Sequence, residues 1–275
     1  MKADALVDKH YGSDDLLKRI LSALDTLGKD PASLTVEDLA PVDAFHTRGR
    51  EATNEIAELA QLRGSDLVLD VGCGTGGTAR HLAQQFGCKV VGIDLTSEYI
   101  SAGIELTRLV GLSDRVDLRQ ASALDIPFAD GSFDVVWTEH VQMNIADKPR
   151  FYAEIARVLK PGGRLLFHDI FQGSGDAPIY PVPWAEDESI SSLATEAEAR
   201  ATIEQVGLEI GQWTGKVPES LAFFEKVAER IEAHGSPALG LHLLMGSTTK
   251  DKLLNLVRNL REDRVSIALG IAHKS

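Results

Sequence analysis

The residues with most chemical content lie between Asp70 and Asp94. The run Asp70-Val71-Gly72-Cys73-Gly74-Thr75-Gly76-Gly77 sets glycines at 72, 74 and 77 directly after an apolar stretch. That spacing makes a tight strand-to-helix turn in which a ligand can lie against bare backbone. Asp94 follows 24 residues beyond Asp70, at the end of the next strand, where a carboxylate can accept both hydroxyls of a ribose. Together these features point to a bound nucleoside. Asp70 narrows the kind, because a carboxylate beside the glycines repels a diphosphate and suits a ligand with a cationic amino group. S-adenosylmethionine, which carries an ammonium and a sulfonium but no phosphate, meets that requirement better than a nicotinamide dinucleotide.

A second concentration follows the fourth expected strand, at Trp137-Thr138-Glu139-His140-Val141-Gln142-Met143-Asn144. In open α/β sheets ligands bind at the carboxyl ends of strands, so polar residues just after strands are candidates. His168 and Asp169 end the fifth strand, and alternation turns one of them inward and one to the rim. Metal chemistry is not expected. No two histidines flank an acid at helical ligand spacing, and Cys73 and Cys88 are the two cysteines in the chain.

Positioning such residues requires alternating elements. Leu67–Val71, Lys89–Asp94, Val116–Gln120, Phe133–Thr138 and Arg164–Ile170 read as strands, and helices are expected near 78–86, 97–110 and 148–159. The short, almost wholly apolar first run suits a strand buried on both faces of a parallel sheet. Before them come three helices. One spans Ser13 to Leu27 and stops at Gly28, one starts at Thr35 with a capping box to Asp38, and one covers 47–62. After them a Gly/Pro-rich loop from Gly173 to Pro183 is expected over the sheet edge, then a helix at 195–206, a strand at 208–214, helical stripes over 216–260 and a closing strand at 265–271. The fold class is α/β: a doubly wound, Rossmann-like sheet, mostly parallel with a reversed last strand, plus N-terminal helices and a helical insertion before that strand.

Composition limits the partners. With 28 basic and 41 acidic residues the formal charge is −13, which argues against sequence-independent binding to nucleic acid or anionic membranes. The apolar runs are too short to span a bilayer and the start has no secretory-signal pattern. A cytoplasmic protein with reduced thiols is the expectation, with homo-oligomer formation left open.

On these residues the chain resembles class I S-adenosylmethionine-dependent methyltransferases. Asp70–Gly76 matches that family's first motif, Gly92-Ile93-Asp94 its second, Ala123–Phe128 its third, and Arg157–Arg164 the turn before its fifth strand. The match is strong over about 66–170. Looser similarity at 45–62, 181–185 and the last strand resembles the branch that methylates small metabolites, including sarcosine/dimethylglycine and tocopherol methyltransferases.

The resemblance implies a role for each position. Backbone at Gly72, Gly74 and Gly76 would face the methionine part, with Asp70 near its ammonium, and Asp94 would hold the ribose. Leu95 and Ala123 would sandwich the adenine. Ser122 stands where the family usually has Asp or Asn to accept from the adenine amino group, a weaker or water-mediated contact. His140 is the leading catalytic residue, for proton removal or substrate orientation, while Tyr11, His46, Gln142, Asn144 and His168 are substrate candidates. Residues 1–46 would form a helical lid, 47–215 with 261–275 the cofactor-binding core, and 216–260 an insertion acting as a substrate cover. The apolar stripes of that insertion suit ordinary packing or a subunit interface equally well, and they lean slightly toward a bulky or apolar acceptor. Methyl transfer to a small-molecule nucleophile is the expectation. Two alternatives stay open: a nicotinamide-dependent oxidoreductase, and a cofactor-binding protein without catalysis.

Overall fold

The fold, a computed structural model, describes residues 15–235 and 237–275. Tyr11 and the expected Ser13 cap therefore lie outside the described residues. The N-terminal helices are α1 (Leu16–Thr26), α2 (Val36–Asp43) and α3 (Arg50–Leu59). The capping box forms as read: Asp38 donates its N–H to the Thr35 hydroxyl at 3.3 Å, and Thr35 returns its own to Asp38 Oδ2 at 3.0 Å.

The core alternates β1 (Leu67–Val71), α4 (Gly77–Gln85), β2 (Lys89–Asp94), α5 (Ser97–Leu109), β3 (Val116–Gln120), β4 (Phe133–Glu139), α6 (Lys148–Val158) and β5 (Leu159–Gln172). Then come α7 (Glu196–Gln205), β6 (Leu208–Gly215), α8 (Val217–His234), α9 (His242–Met245), α10 (Thr249–Arg261) and β7 (Val265–Lys274). The seven strands lie in the order β3-β2-β1-β4-β5-β7-β6. The first five are parallel, and β7 runs antiparallel between β5 and β6.

The sheet is buried on both faces, which is why its strands are apolar almost throughout. Leu69 and Val71 pack one side with Phe133, Phe151 and Ile155, while Val68 packs the other with Leu82, Trp137 and Leu166. Crossovers bring the carboxyl ends of β1, β2 and β4 together at one edge of the layers.

The Gly/Pro-rich segment differs from expectation. It does not cover a sheet edge but folds against α10 and the start of β7, with Val182 and Trp184 buried beside Leu256, Leu260 and Ile267. Its apolar residues draw it inward where its turn residues alone suggested a surface excursion. No described helix is long and apolar enough to cross a membrane.

Candidate active site

Three positive-φ glycines shape the turn after β1: Gly72 (φ 75°), Gly74 (54°) and Gly76 (80°). At Gly72 a Cβ would lie 2.3 Å from a methyl of Val141, so glycine lets the loop after β4 close on the turn. Gly74 donates its N–H to Asp94 Oδ2 at 2.9 Å, and Thr96 donates to Asp94 Oδ1 at 2.8 Å. The Asp94 carboxylate thus fixes the turn from below. Burial raises its pKa, and the two backbone N–H groups oppose that rise.

Asp70 is buried at 2% exposure, and its Oδ2 accepts no hydrogen bond among the described residues. Burial pushes its carboxyl well above the usual range, and the neighbouring carboxylates of Glu139 and Asp94 push it further. An unpartnered buried acceptor beside a bare backbone calls for a cation. An ammonium group fits there, and a pyrophosphate does not.

A cavity of about 360 Å³ opens from this turn. Asp70, Gly72, Gly74, Asp94, Leu95, Ser122 and Ala123 all line it, as the sequence suggested. Ser122 Oγ accepts the Leu124 N–H at 3.2 Å, which holds the loop after β3. Gly76 is a correction: it does not line the cavity, and its Cα faces Leu118, where a Cβ would come within 2.6 Å. It serves helix–strand packing.

His140 lines the cavity at the end of β4 with φ 54°. Its N–H donates to the His168 carbonyl at 2.9 Å, and its Nε2 is buried without a partner among the described residues. Burial, then the nearby His46, holds its pKa well below the ordinary histidine value, so the ring is neutral. His46 also lines the cavity, with Nε2 at 3.0 Å from the Gly49 carbonyl oxygen, 3.1 Å from the Thr53 hydroxyl and 3.4 Å from Glu139 Oε1.

Three expected contacts move to supporting positions. His168 is fully buried behind His140, with ring centroids 5.0 Å apart, and stays outside the cavity. Gln142 is fully buried, and its Nε2 donates to the Ile170 carbonyl at 2.6 Å. Alternation is expected to turn one of His168 and Asp169 to the rim, yet Asp169 is also internal. Its Oδ1 accepts from Ile170, and its Oδ2 accepts from Val141 and Gln142 at 3.4 and 3.3 Å. Both residues are inward because His46 and His140 pack on His168 and the loop after β4 closes over Asp169. Burial raises Asp169 to about 7. Asn144 does reach the cavity, yet its amide donates to the Trp184 and Ile190 carbonyls at 2.9 Å each.

Two sets of lining residues escaped the sequence reading. Glu139 accepts from Thr78 at 2.8 Å and from Thr53 at 3.1 Å, tying α3 and α4 to β4. An acid ending a largely buried strand, directly before His140, was the available signal. The other set is apolar: Trp184, packed with Phe224 of α8 and Leu256 of α10, and with them Leu244 and Met245 of α9 and Leu253 of α10 line the cavity. Their helical stripes were visible, but not the face they present.

Comparison with known proteins places this geometry. Residues 69–167 match the family model described as a methyltransferase domain. Methyltransferase GfsG of Streptomyces halstedii is 32% identical over 184 residues, 64% of this chain and 65% of that protein. The match to phosphoethanolamine N-methyltransferase 1 of Arabidopsis thaliana, 40% identical, spans 45% of this chain and 25% of that one. The chain thus covers less than two thirds of the length of these relatives. A Haemonchus contortus phosphoethanolamine N-methyltransferase 2, solved with S-adenosyl-L-methionine, shares the fold at TM-score 0.73 and 20% identity, covering 100% of this chain and 60% of that one.

Proposed function

We infer S-adenosylmethionine-dependent methyl transfer to a nucleophile on a small molecule for this chain, whose residues 69–167 match a methyltransferase-domain model. The observation that carries this reading is the unpartnered, buried Asp70 Oδ2 beside the glycine turn, with Glu139 and Asp94 close enough to raise its pKa. Three carboxylates around one backbone bend favour a cationic ligand and disfavour the diphosphate of a nicotinamide cofactor. Asp70 would hold the ammonium, Asp94 the ribose, and Leu95 with Ala123 the adenine. When bound, the cofactor supplies an electrophilic methyl group on a positively charged sulfur.

The chain's own residues supply alignment and exclusion of water. His140 lines the same cavity with a ring that burial keeps neutral, and it would orient a nucleophile or accept its proton. The described residues of 15–46 and of 216–260 would act as covers, since Phe45, His46, Phe224 and Met245 all reach the cavity wall. A small-molecule acceptor and a cytoplasmic setting accord with the charge of −13.

Binding of S-adenosylhomocysteine and of NAD by the purified protein tests the cofactor, and transfer of a labelled methyl group into a metabolite extract tests the reaction. Stabilisation by NAD alone would overturn the reading. So would label confined to the protein itself.

A further inference from the structure

Resting on the methyl-transfer reading, we propose that the acceptor is an uncharged, largely apolar molecule methylated on a hydroxyl oxygen. The cavity is lined by two chemically distinct sets of residues. Asp70, Asp94 and Glu139 line it beside the turn, and Trp184, Phe224 and Leu256, which pack in one apolar cluster, line it elsewhere together with Leu244, Met245 and Leu253. Among the described residues no lysine or arginine lines the cavity. A phosphate or carboxylate entering here would lose its hydration with no cation in the wall to replace it.

A cationic amine is disfavoured for a different reason. The two other acids in the wall are already engaged: Asp43 in a buried pair with Arg80 at 2.5 Å, and Asp147 accepting the Arg150 N–H at 3.0 Å as the cap of α6. Against the apolar set an ammonium would meet alkyl and aromatic carbon. His140 also lines the cavity, and its buried Nε2 has no partner among the described residues. The Asn144 amide is held by two carbonyls, and His46 by Gly49 and Thr53.

The step balances with the sulfonium methyl donor as co-reactant. The hydroxyl oxygen bonds to the methyl carbon as the carbon–sulfur bond breaks, and that electron pair stays on sulfur. The hydroxyl proton passes to the neutral His140 ring and afterwards to solvent. Alcohol and sulfonium become ether and thioether, and the positive charge leaves as the proton.

The test uses the full chain saturated with S-adenosylhomocysteine and three probes of one skeleton: 1-naphthol, 1-naphthyl phosphate and 1-naphthylmethylamine. Fluorescence titration should show 1-naphthol binding at least about tenfold more tightly than either charged probe. The variant Leu253→Arg should weaken 1-naphthol by about tenfold or more and leave S-adenosylhomocysteine affinity unchanged, which also reports a folded chain. Equal or tighter binding of the phosphate or the ammonium overturns the proposal, as does failure of 1-naphthol to bind. Failure of S-adenosylhomocysteine to bind would instead sink the methyl-transfer reading, and this proposal with it. In an extract, label should enter acid-stable ethers in the organic phase. Label in phosphate-bearing or amine products overturns the acceptor class alone.

Discussion

Asp94 and Gly74 are bonded across the cradle: the Gly74 N–H donates to Asp94 Oδ2 at 2.9 Å. The carboxylate therefore has two tasks that sequence reasoning treated as one. It restrains a glycine that would otherwise sample both signs of φ, and it offers its remaining lone pairs to a ribose.

Asp94→Ala should weaken S-adenosylmethionine binding by about 1.5–3 kcal/mol, the range for lost hydrogen bonds to a charged group. Asp94→Asn keeps one acceptor oxygen and should lose less. Isothermal titration of both variants checks the order, and an unchanged dissociation constant for Asp94→Ala would place the ribose elsewhere.

Asp70 sets function against stability. Its folded-state pKa is raised by burial and then by Glu139 and Asp94. A raised carboxyl pKa means the folded chain holds the proton more tightly than the unfolded chain. Its contribution is complete below the unfolded value near 3.8 and is lost as pH rises through the folded value. Asp70→Asn should therefore raise the melting temperature of the ligand-free protein at neutral pH while weakening S-adenosylhomocysteine by about tenfold or more. A variant with unchanged cofactor affinity would separate Asp70 from the ammonium.

His140→Ala should lower turnover by roughly 10²–10⁴, the span for a lost general base, with cofactor affinity held. Because burial keeps the ring neutral well below the ordinary histidine value, the acid limb set by His140 should fall below pH 6.5. A pH–rate profile of wild type shows this directly. Loss of cofactor affinity with preserved turnover would move His140 to the cofactor side.

Legibility followed locality. The glycine turn, Asp94, the capping box at Thr35 and the alternation of strands are written in contiguous residues, so they could be read directly. Gly76 misled because its spacing fits a ligand turn while its Cα meets Leu118, a residue of β3 more than forty positions away. His168, Asp169 and Gln142 misled in the same way: alternation predicts sides, but it does not show that His46, His140 and the loop after β4 will cover both. The apolar set of lining residues joins three helices from one segment to Trp184 of another, and no periodicity encodes that meeting.

Lys148 is a hidden fastener of the same loop. Its Nζ donates to the Gln142 carbonyl at 2.6 Å and also to those of Ile145 and Ser192. Lys148→Met would leave three carbonyls to find new partners, at a cost of about 2–4 kcal/mol in urea unfolding. The loop bearing His140 should loosen with it, so turnover should fall more than cofactor affinity. Wild-type stability in the variant would mean that water replaces the ammonium there.

Gly77 makes the closest backbone approach in the site's support. Its φ is not positive, so conformational strain is absent and contact alone decides. A Cβ there would sit 2.2 Å from the Asp43 carbonyl oxygen and 2.5 Å from the Asp43 Cβ. Those atoms belong to α2, whose Asp43 also holds Arg80, and Arg80 in turn donates to the Thr75 carbonyl of the cradle at 2.7 Å. Gly77→Ala must therefore push α2 away from α4 or break the pair, and overpacking of this kind costs about 1–3 kcal/mol. Gly215→Ala, with nothing within 4 Å of the added atom, is the matched control and should be near neutral. Equal melting temperatures for the two variants would mean that α2 does not rest on α4 as described. A drop confined to Gly77→Ala, accompanied by weaker cofactor binding, would tie the N-terminal helices to the cradle through Arg80.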